Sequence, residues 1–553
     1  MFALQYHQST KHHFNRFARS PGYLDWATQP DPFRRYAGAP LVELPRDAVA
    51  ADVPYSALFD GRVAPRPIDD RSVAEFLRCS MGLSAWKRFR QSRWALRVNP
   101  SSGNLHPTEA YVLRDARVCH YAPREHALEV RAALDWGAWQ AFTDGHDGFL
   151  VALTSIQWRE AWKYGERAFR YCQHDAGHAI GAMRMAAALL GWTLTLLPRW
   201  SDRQLETLLG LDRDSDEGNV EREEPECVAV VASSHTAPWV AADPAPLVAA
   251  ARAASWQGHP NQLSSDHRAW PTIDRVADAT RYPGTSSTPN SQSHPSPNSQ
   301  PSALGVGQAE VGSWELSARE VILRRRSAVA FDAQSTLPRE RFLSMLARLR
   351  PTAPPWDAID WPAQVHLVVF VHRVVGVTPG VYAYLRDPSA LPEWRDAMRP
   401  EFLWEHASPP SPEGFGAAGD PNGLYLLFPS DVTWSANRVS CDQDIAGDGF
   451  FSLGMVARLE SSLAERGEWF YRRLFWECGL IGQVLYLEAE AAGARGTGIG
   501  CFYDDAVHEL VGLSGEQWQS LYHFSMGMPV EDPRLTTEPG YQWEATEGVL
   551  SGS

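Results

Sequence analysis

No stretch of this 553-residue chain is apolar for long enough to span a bilayer, so a membrane-crossing protein is not expected. Basic charge is also short. The formal net charge of −15 leaves no basic face of the kind that phosphate backbones require, and a nucleic-acid partner is not expected. There is no C-x-x-C pair. The seven cysteines (Cys79, Cys119, Cys172, Cys227, Cys441, Cys478 and Cys501) are scattered and odd in number, which fits a reducing cytoplasm rather than a disulfide framework. Met1 to Arg19 carry polar and charged residues throughout, without the apolar core of a signal peptide, and none is expected.

What is present suits two to four domains. Hydrophobic residues make up 44% of the chain, as in folded soluble proteins, and the 22 tryptophans point to aromatic-rich cores or flat binding surfaces. Pro283 to Ser302 holds no apolar residue and reads as a flexible linker, with weakly patterned flanks on both sides. The expected organisation is a first domain over 1–245, a Pro/Ser-rich linker over 246–312 and a second domain over 313–553.

The two halves repeat. Gly165-Glu166-Arg167-Ala168-Phe169-Arg170 recurs as Gly467-Glu468-Trp469-Phe470-Tyr471-Arg472, at an offset of 302. The same offset pairs Asp175 with Glu477, Gly177 with Gly479, Gly191 with Gly493, Asp202 with Asp504 and Gly210-Leu211 with Gly512-Leu513. Within each copy the periodicity predicts a long helix, over Tyr171 to Leu190 and Phe475 to Ala492, each stopped by a glycine. A strand (Thr193 to Leu197, or its Gly-rich equivalent) and a short helix (Arg203 to Leu209, Ala506 to Val511) follow. Further strands are expected at Ala110–Leu113, Phe149–Leu153, Val228–Val231, Val365–Val371, Gly423–Phe428 and Tyr522–Ser525. Mixed strands and helices imply an α+β sandwich built from two tandem domains.

Five segments carry chemistry. Asn99 to Pro107, with Pro100, Ser101, Ser102, Gly103, Asn104 and His106, could present hydroxyl, amide and backbone N–H groups to a planar polar ligand, although such a composition also makes an ordinary turn. Arg324-Arg325-Arg326-Ser327 suits a phosphate, or else a solvated basic patch. Gly496-Thr497-Gly498-Ile499-Gly500 lets a ligand approach the backbone closely. Lys163-Tyr164 could serve as an acid/base pair, or sit exposed at a helix start. His174-Asp175-Ala176-Gly177-His178 superficially matches a zinc helix. The repeat replaces both histidines, by Trp476 and Leu480, and no metal site is expected.

Taken together these segments resemble the nitroreductase superfamily, most closely its SagB-type branch, which includes the azoline dehydrogenases of thiazole/oxazole peptide biosynthesis. Pro100 to Pro107 resembles the P-S-S-x-N-x-x-P flavin loop. Arg325-Arg326-Ser327 with Phe331 resembles the R-R-S-x-R-x-F phosphate motif, with Val329 in place of its later arginine. Gly498-Ile499-Gly500 with Phe502 resembles the glycine turn beside the flavin. Lys163-Tyr164-Gly165-Glu166-Arg167 resembles the K-Y-G-x-R motif whose Lys-Tyr pair is catalytic in azoline dehydrogenases. Tyr6 to His12 resembles the opening of long SagB-type chains.

The resemblance implies an α+β sandwich with FMN at a dimer interface, the serine loop coming from one protomer and the phosphate motif and glycine turn from the other. The two copies divide along that line. Copy one keeps Pro100, Ser101, Ser102 and Asn104, but has Leu196-Leu197-Pro198-Arg199-Trp200 for the glycine turn and only Pro54 to Phe59 near the place of the arginine motif. Copy two keeps Arg325, Arg326, Ser327, Gly498, Ile499 and Gly500. Its counterpart of the serine loop is expected near Pro351 to Pro355, and Glu465-Arg466 align with Lys163-Tyr164. One FMN per chain follows, held within an intramolecular pseudo-dimer that could oligomerise further, with Arg534 supplying the missing phosphate charge. The leading expectation is an FMN-dependent dehydrogenase, with Lys163 and Tyr164 catalytic, acting on a peptide azoline or related natural-product intermediate. An NAD(P)H-dependent nitro or quinone reductase and a flavin-free partner-binding scaffold remain open.

Overall fold

The repeat in the sequence is a repeat in space. A computed structural model describes residues 1–214, 221–234, 236–285, 316–407 and 423–546. Each half builds one seven-stranded sheet in which every neighbouring pair is antiparallel. The first runs Leu41–Glu43, Ala127–Ala133, Arg117–Ala122, Thr108–Arg114, Phe149–Ser155, Glu224–Ala232, Thr193–Leu196. The second runs Glu405–His406, Leu424–Pro429, Gly380–Tyr384, Val365–Val371, Phe451–Arg458, Trp518–Gly527, Arg495–Ile499 in the same spatial order.

The long helices span Ala168–Leu189 and Phe470–Ala491, related residue for residue by the offset of 302. Both start earlier than periodicity predicts, because tertiary contacts hold the first turn: Arg170 and Arg472 sit there, buried and ion-paired across the molecule. The helices cross at Gly177 and Gly479. A Cβ on Gly177 would lie 2.3 Å from the Trp476 carbonyl oxygen, and one on Gly479 would lie 2.3 Å from that of His174. Glycine inside a helix costs about 1 kcal/mol relative to alanine; here it lets the backbones touch. Ile180 and Met183 of one helix and Ile481 and Val484 of the other lie in one continuous apolar core that joins the halves.

Charge reinforces the join with pseudo-twofold symmetry. Arg170 Nη1 meets Asp504 Oδ1 at 2.6 Å, and the repeat-related Arg472 meets Asp202. Arg167 adds a second contact to Asp504, at 2.8 Å. Both chain ends strap the halves further. Helix Phe2–Ser9 leads to Lys11, which pairs with Asp505 at 2.6 Å, and the His12 N–H donates to Asp504 at 2.8 Å. At the other end Thr536–Pro539 adds a strand to the hairpin Leu83–Phe89/Ser92–Arg97 of the first half. Tyr541 Oη accepts from the Leu83 N–H at 3.1 Å and donates to the Pro123 carbonyl at 2.6 Å.

Part of the segment expected to be linker is folded. Helices Ala245–Ala253 and Pro271–Ala279 bury Leu247, Val248, Ala251, Ile273, Val276 and Ala277 against the first half. Their helical spacing of apolar residues overrides the surrounding Pro/Ser/Gly composition. The remainder of that segment, from residue 286, lies outside the described residues.

Candidate functional site

A cavity of about 470 Å³ opens between the halves. Its wall combines Asn99 to Asn104, His106, Tyr164, Tyr171, Asp175 and His178 of the first half with Arg325 to Val329, Tyr486, Thr497 to Cys501 and Tyr522 of the second. Pro100, Ser101, Ser102, Asn104, Tyr164, Arg325, Arg326, Ser327, Gly498, Ile499 and Gly500 therefore share one site, although the sequence separates them by up to some four hundred residues.

The serine loop is shaped by its own bonds. Asp175, on the first long helix, accepts from Ser102 N and Ser102 Oγ, both at 3.0 Å. Ser101 Oγ accepts from His106 N at 2.8 Å. Asn104 Nδ2 donates to the Ala95 carbonyl at 2.9 Å, and its Oδ1 lies 3.0 Å from His106 Nε2. Gly103 has φ +58°, and a Cβ there would lie 2.6 Å from Tyr164 Oη and 3.2 Å from Lys163 Nζ. Glycine is required at that point because the Lys-Tyr pair presses against the loop. Tyr164 lines the cavity, while Lys163 stands just behind Gly103.

Arg325 reaches across the interface. Its Nε donates to the Val98 carbonyl at 3.0 Å and its Nη2 to that of Arg97 at 3.1 Å. Its buried Nη1 has no partner among the described residues. Arg326 is spent on structure, donating to the carbonyls of Leu323, Arg325 and Ser84 at 2.7–2.8 Å. Burial and its neighbour Arg325 bring its guanidinium down to about 9. Tyr486 Oη ties the two motifs of the second half together, lying 3.0 Å from Ser327 Oγ and accepting from Gly498 N at 2.8 Å. The glycine turn is narrow because aromatic rings pack on it: a Cβ on Gly498 would lie 1.9 Å from Tyr522 Oη, and one on Gly500 2.3 Å from the Tyr171 ring.

Two expectations are corrected. Arg534 does not line the cavity; its side chain is 72% exposed and pairs with Asp532 at 2.7 Å, because that carboxylate lies two residues away on the same turn. Lys87, Arg97 and Arg495, the last paired with Glu531, are the additional cations in the wall, none of them singled out by sequence motifs. The counterpart of the serine loop is not Pro351 to Pro355. Thr108 and Val365 begin equivalent strands, so the counterpart is 357–364, where the Gln364 N–H donates to Glu477, the repeat-mate of Asp175, at 3.0 Å.

Buried acids were also missed. Burial pushes the Asp175 carboxyl up to about 7, against its hydrogen bonds from Ser101 and Ser102. Glu160 is fully buried beside Asp175 and Lys163, with neither oxygen hydrogen-bonded among the described residues. Burial, then Asp175, raise it well above the carboxylate range. Burial, then Glu160, likewise raise the Tyr164 phenol, keeping it a neutral donor. The position of Glu160 on the helix before Lys163 was the available signal. His174 and His178 do not converge on a point: Nε2 of His174 faces the Leu521 carbonyl at 3.0 Å, and that of His178 faces Tyr522 Oη at 3.1 Å. Among the described residues no helix is long and apolar enough to cross a membrane.

The arrangement suits a flat ligand with an anionic end. Arg325 offers an unused N–H, Asn99 Oδ1 and the Nδ1 atoms of His106 and His178 are buried without partners among the described residues, and neutral Tyr164 lines the same cavity.

Comparison with known proteins fits this architecture. The nitroreductase family matches residues 64–220 and 322–528, one segment in each half. A putative nitroreductase from Anabaena variabilis is similar in structure, with a TM-score of 0.66 and 19% identity, covering 96% of this chain and 99% of its own. One from Ralstonia eutropha (17% identity, 38% of this chain, 97% of its own, TM-score 0.27) and the E. coli microcin synthetase McbBCD complex with truncated pro-MccB17 bound (18% identity, 32% and 67%, TM-score 0.25) are more distant. A search of curated proteins found no match. With a family segment in each half and one fold repeated across the join, the chain belongs to the nitroreductase family as a tandem of two such domains.

Proposed function

We propose that the chain is an FMN-dependent dehydrogenase holding one FMN between its halves, and that its substrate is a peptide azoline or a related natural-product intermediate. The observation that carries this reading is the composite cavity: its cationic anchor, Arg325, belongs to one half, and its serine loop and Tyr164 belong to the other. FMN, when bound, supplies the two-electron chemistry. The unpartnered Arg325 Nη1, with Lys87 nearby, would hold its phosphate. Backbone groups of the serine loop and the glycine turn would hold its ribityl chain and ring edges.

The chain's own residues would then handle the proton. Tyr164, neutral and half-buried against Gly103, would orient the substrate through a hydrogen bond from its Oη. Lys163 adds a positive charge beside it, and its Nζ lies 5.2 Å from the Tyr164 ring centroid. Asp175 keeps Ser101 and Ser102 in place from behind. Tyr171, 4.5 Å from Tyr164 between ring centroids, closes that wall against water. The Lys-Tyr pair supports this reading over a general NAD(P)H-dependent reductase, which has no need of it.

The test is spectroscopic. The purified yellow chain, kept anaerobic, should bleach when given an azoline-containing peptide and should not bleach with NADH or NADPH alone. Bleaching by NAD(P)H but not by the peptide would replace the proposal with a reductase. A chain that purifies colourless and takes up no added FMN would remove both readings.

A further inference from the structure

The cavity wall holds a pair of thiols that the proposed reaction does not use. Cys501 directly follows the glycine turn and lines the cavity. Its Sγ lies 3.1 Å from Cys441 Sγ, inside van der Waals contact for two sulfurs. The pair is held by its surroundings. Gln443 Nε2 donates to the Cys501 carbonyl at 2.8 Å and to the Ser440 carbonyl at 2.6 Å, clamping the two loops together. His12, from the N-terminal strap, lies near enough to act electrostatically on the Cys501 thiol. Because His12 Nδ1 accepts the Ala18 N–H at 3.0 Å, the neutral ring carries its proton on Nε2 and can donate it. Arg167 sits alongside, its Nη2 donating to the Gly500 carbonyl at 3.2 Å.

This setting sets Cys501 apart from the other thiols, its neighbour Cys441 included. The Cys441 hydrogen bond, then His12 and Arg167, draw the Cys501 thiol down toward the thiolate, against its burial. Burial instead pushes Cys79, Cys119, Cys172, Cys227 and Cys478 up. Reactive cysteines are low-pKa, accessible and next to a resolving thiol.

We propose that Cys501 and Cys441 form a redox-active dithiol in the cavity wall, with Cys501 as the attacking thiolate and Cys441 as the resolving thiol, and a low-molecular-weight disulfide as oxidant. Cys501 Sγ bonds one sulfur of the small disulfide and expels the other as a thiolate, which takes up a proton. Cys441 then loses its proton, attacks Cys501 Sγ and expels the second small thiol. Two protein thiols are oxidised to one disulfide, and one small disulfide is reduced to two thiols. The new bond ties the residue after Gly500 to the Ser440–Gln443 loop, so the thiol state reports on the wall against which a ligand sits. The inference stands apart from the identity of that ligand.

The experiment treats the purified full chain with glutathione disulfide, blocks remaining thiols and maps the peptides by mass spectrometry. The expected result is loss of two of the seven thiols per chain, a Cys441–Cys501 cross-linked peptide, and reversal by dithiothreitol. Cys441→Ser should keep one glutathione on Cys501, whereas Cys501→Ser should take none. Seven unreacted thiols, a cross-link elsewhere, or glutathione on Cys441 in Cys501→Ser would overturn the proposal. The wild-type map decides the matter even if a variant fails to fold.

Discussion

The two halves face each other across two related places, and only one is a cavity. Where copy one meets the glycine turn of copy two, the space is about 470 Å³. At the repeat-related place, lined by Leu196, Leu197, Pro198, Asp360, Trp469 and Arg473, about 20 Å³ remains. Both sheets run in the same order, so the difference lies in the side chains and in the connecting segment that brings Tyr282 to the second place. Pro198 stands for Gly500, Trp469 for Arg167 and Arg473 for Tyr171. The Arg473 guanidinium lies 4.5 Å from the ring centroids of both Tyr282 and Trp469 and 5.0 Å from that of Trp361, filling the space with a stack of cation and aromatics. In a homodimer, one sequence must serve both sites. Fusing the copies removes that constraint, so one place carries polar groups for a ligand while the other holds the halves together.

Matched substitutions at repeat-related positions can break this comparison. The largest effect is expected at the reciprocal ion pairs. Asp504→Ala leaves Arg167 and Arg170 buried without their partner, and should cost about 3–5 kcal/mol in denaturant unfolding and release the flavin as well. Asp202→Ala should cost less, because Arg472 keeps Glu226 at 3.3 Å, and should leave the flavin content unchanged. If both variants lost flavin equally, the second place would be a working site.

Next comes chemistry. Tyr164→Phe should lower single-turnover reduction by the peptide about 100-fold with the flavin retained. Arg466→Ala, at the matching position of copy two, should leave the rate unchanged. Smaller still, Gly498→Ala must displace the Tyr522 hydroxyl and should weaken flavin binding by about 1–3 kcal/mol in a fluorescence titration, whereas Leu196→Ala should leave it unaltered.

A pH slope is the shallowest effect per unit of pH. Asp175 releases its proton near 3.9 when unfolded and near 7 when folded, so between those values the unfolded chain binds fewer protons. Wild-type stability should therefore fall as pH rises through that window, by at most about 1.4 kcal/mol per pH unit from this group. Asp175→Asn should lack that component in unfolding curves from pH 4 to 8. An unchanged slope would mean that Asp175 is ionised throughout.

The repeat, the long helices and most strands were legible because they rest on local periodicity, which survives duplication. The residues that meet in the composite cavity were legible because their motifs are short and contiguous, even where the two contributions lie hundreds of residues apart. What escaped depends on partners remote in sequence. Nothing local says that Thr536–Pro539 will pair with Leu83–Phe89, or that His12 will reach Asp504. Arg534 was misjudged for the opposite reason: its partner, Asp532, is local and neutralises it. Asp175 looked like part of a metal motif, yet its role lies in the loop across from it, and only the fold shows Ser102 waiting there. The folded part of the expected linker shows apolar spacing at Leu247, Val248 and Ala251 that composition alone obscured.

The central claim is that one chain holds one flavin between unlike halves. Its most direct test is the flavin-to-protein ratio of the FMN-saturated, desalted chain, from the absorbance of flavin released on denaturation against amino-acid analysis. The account predicts a ratio of one, falling toward zero in Arg325→Ala. A ratio of two, or a ratio of one that Arg325→Ala leaves untouched, would contradict it.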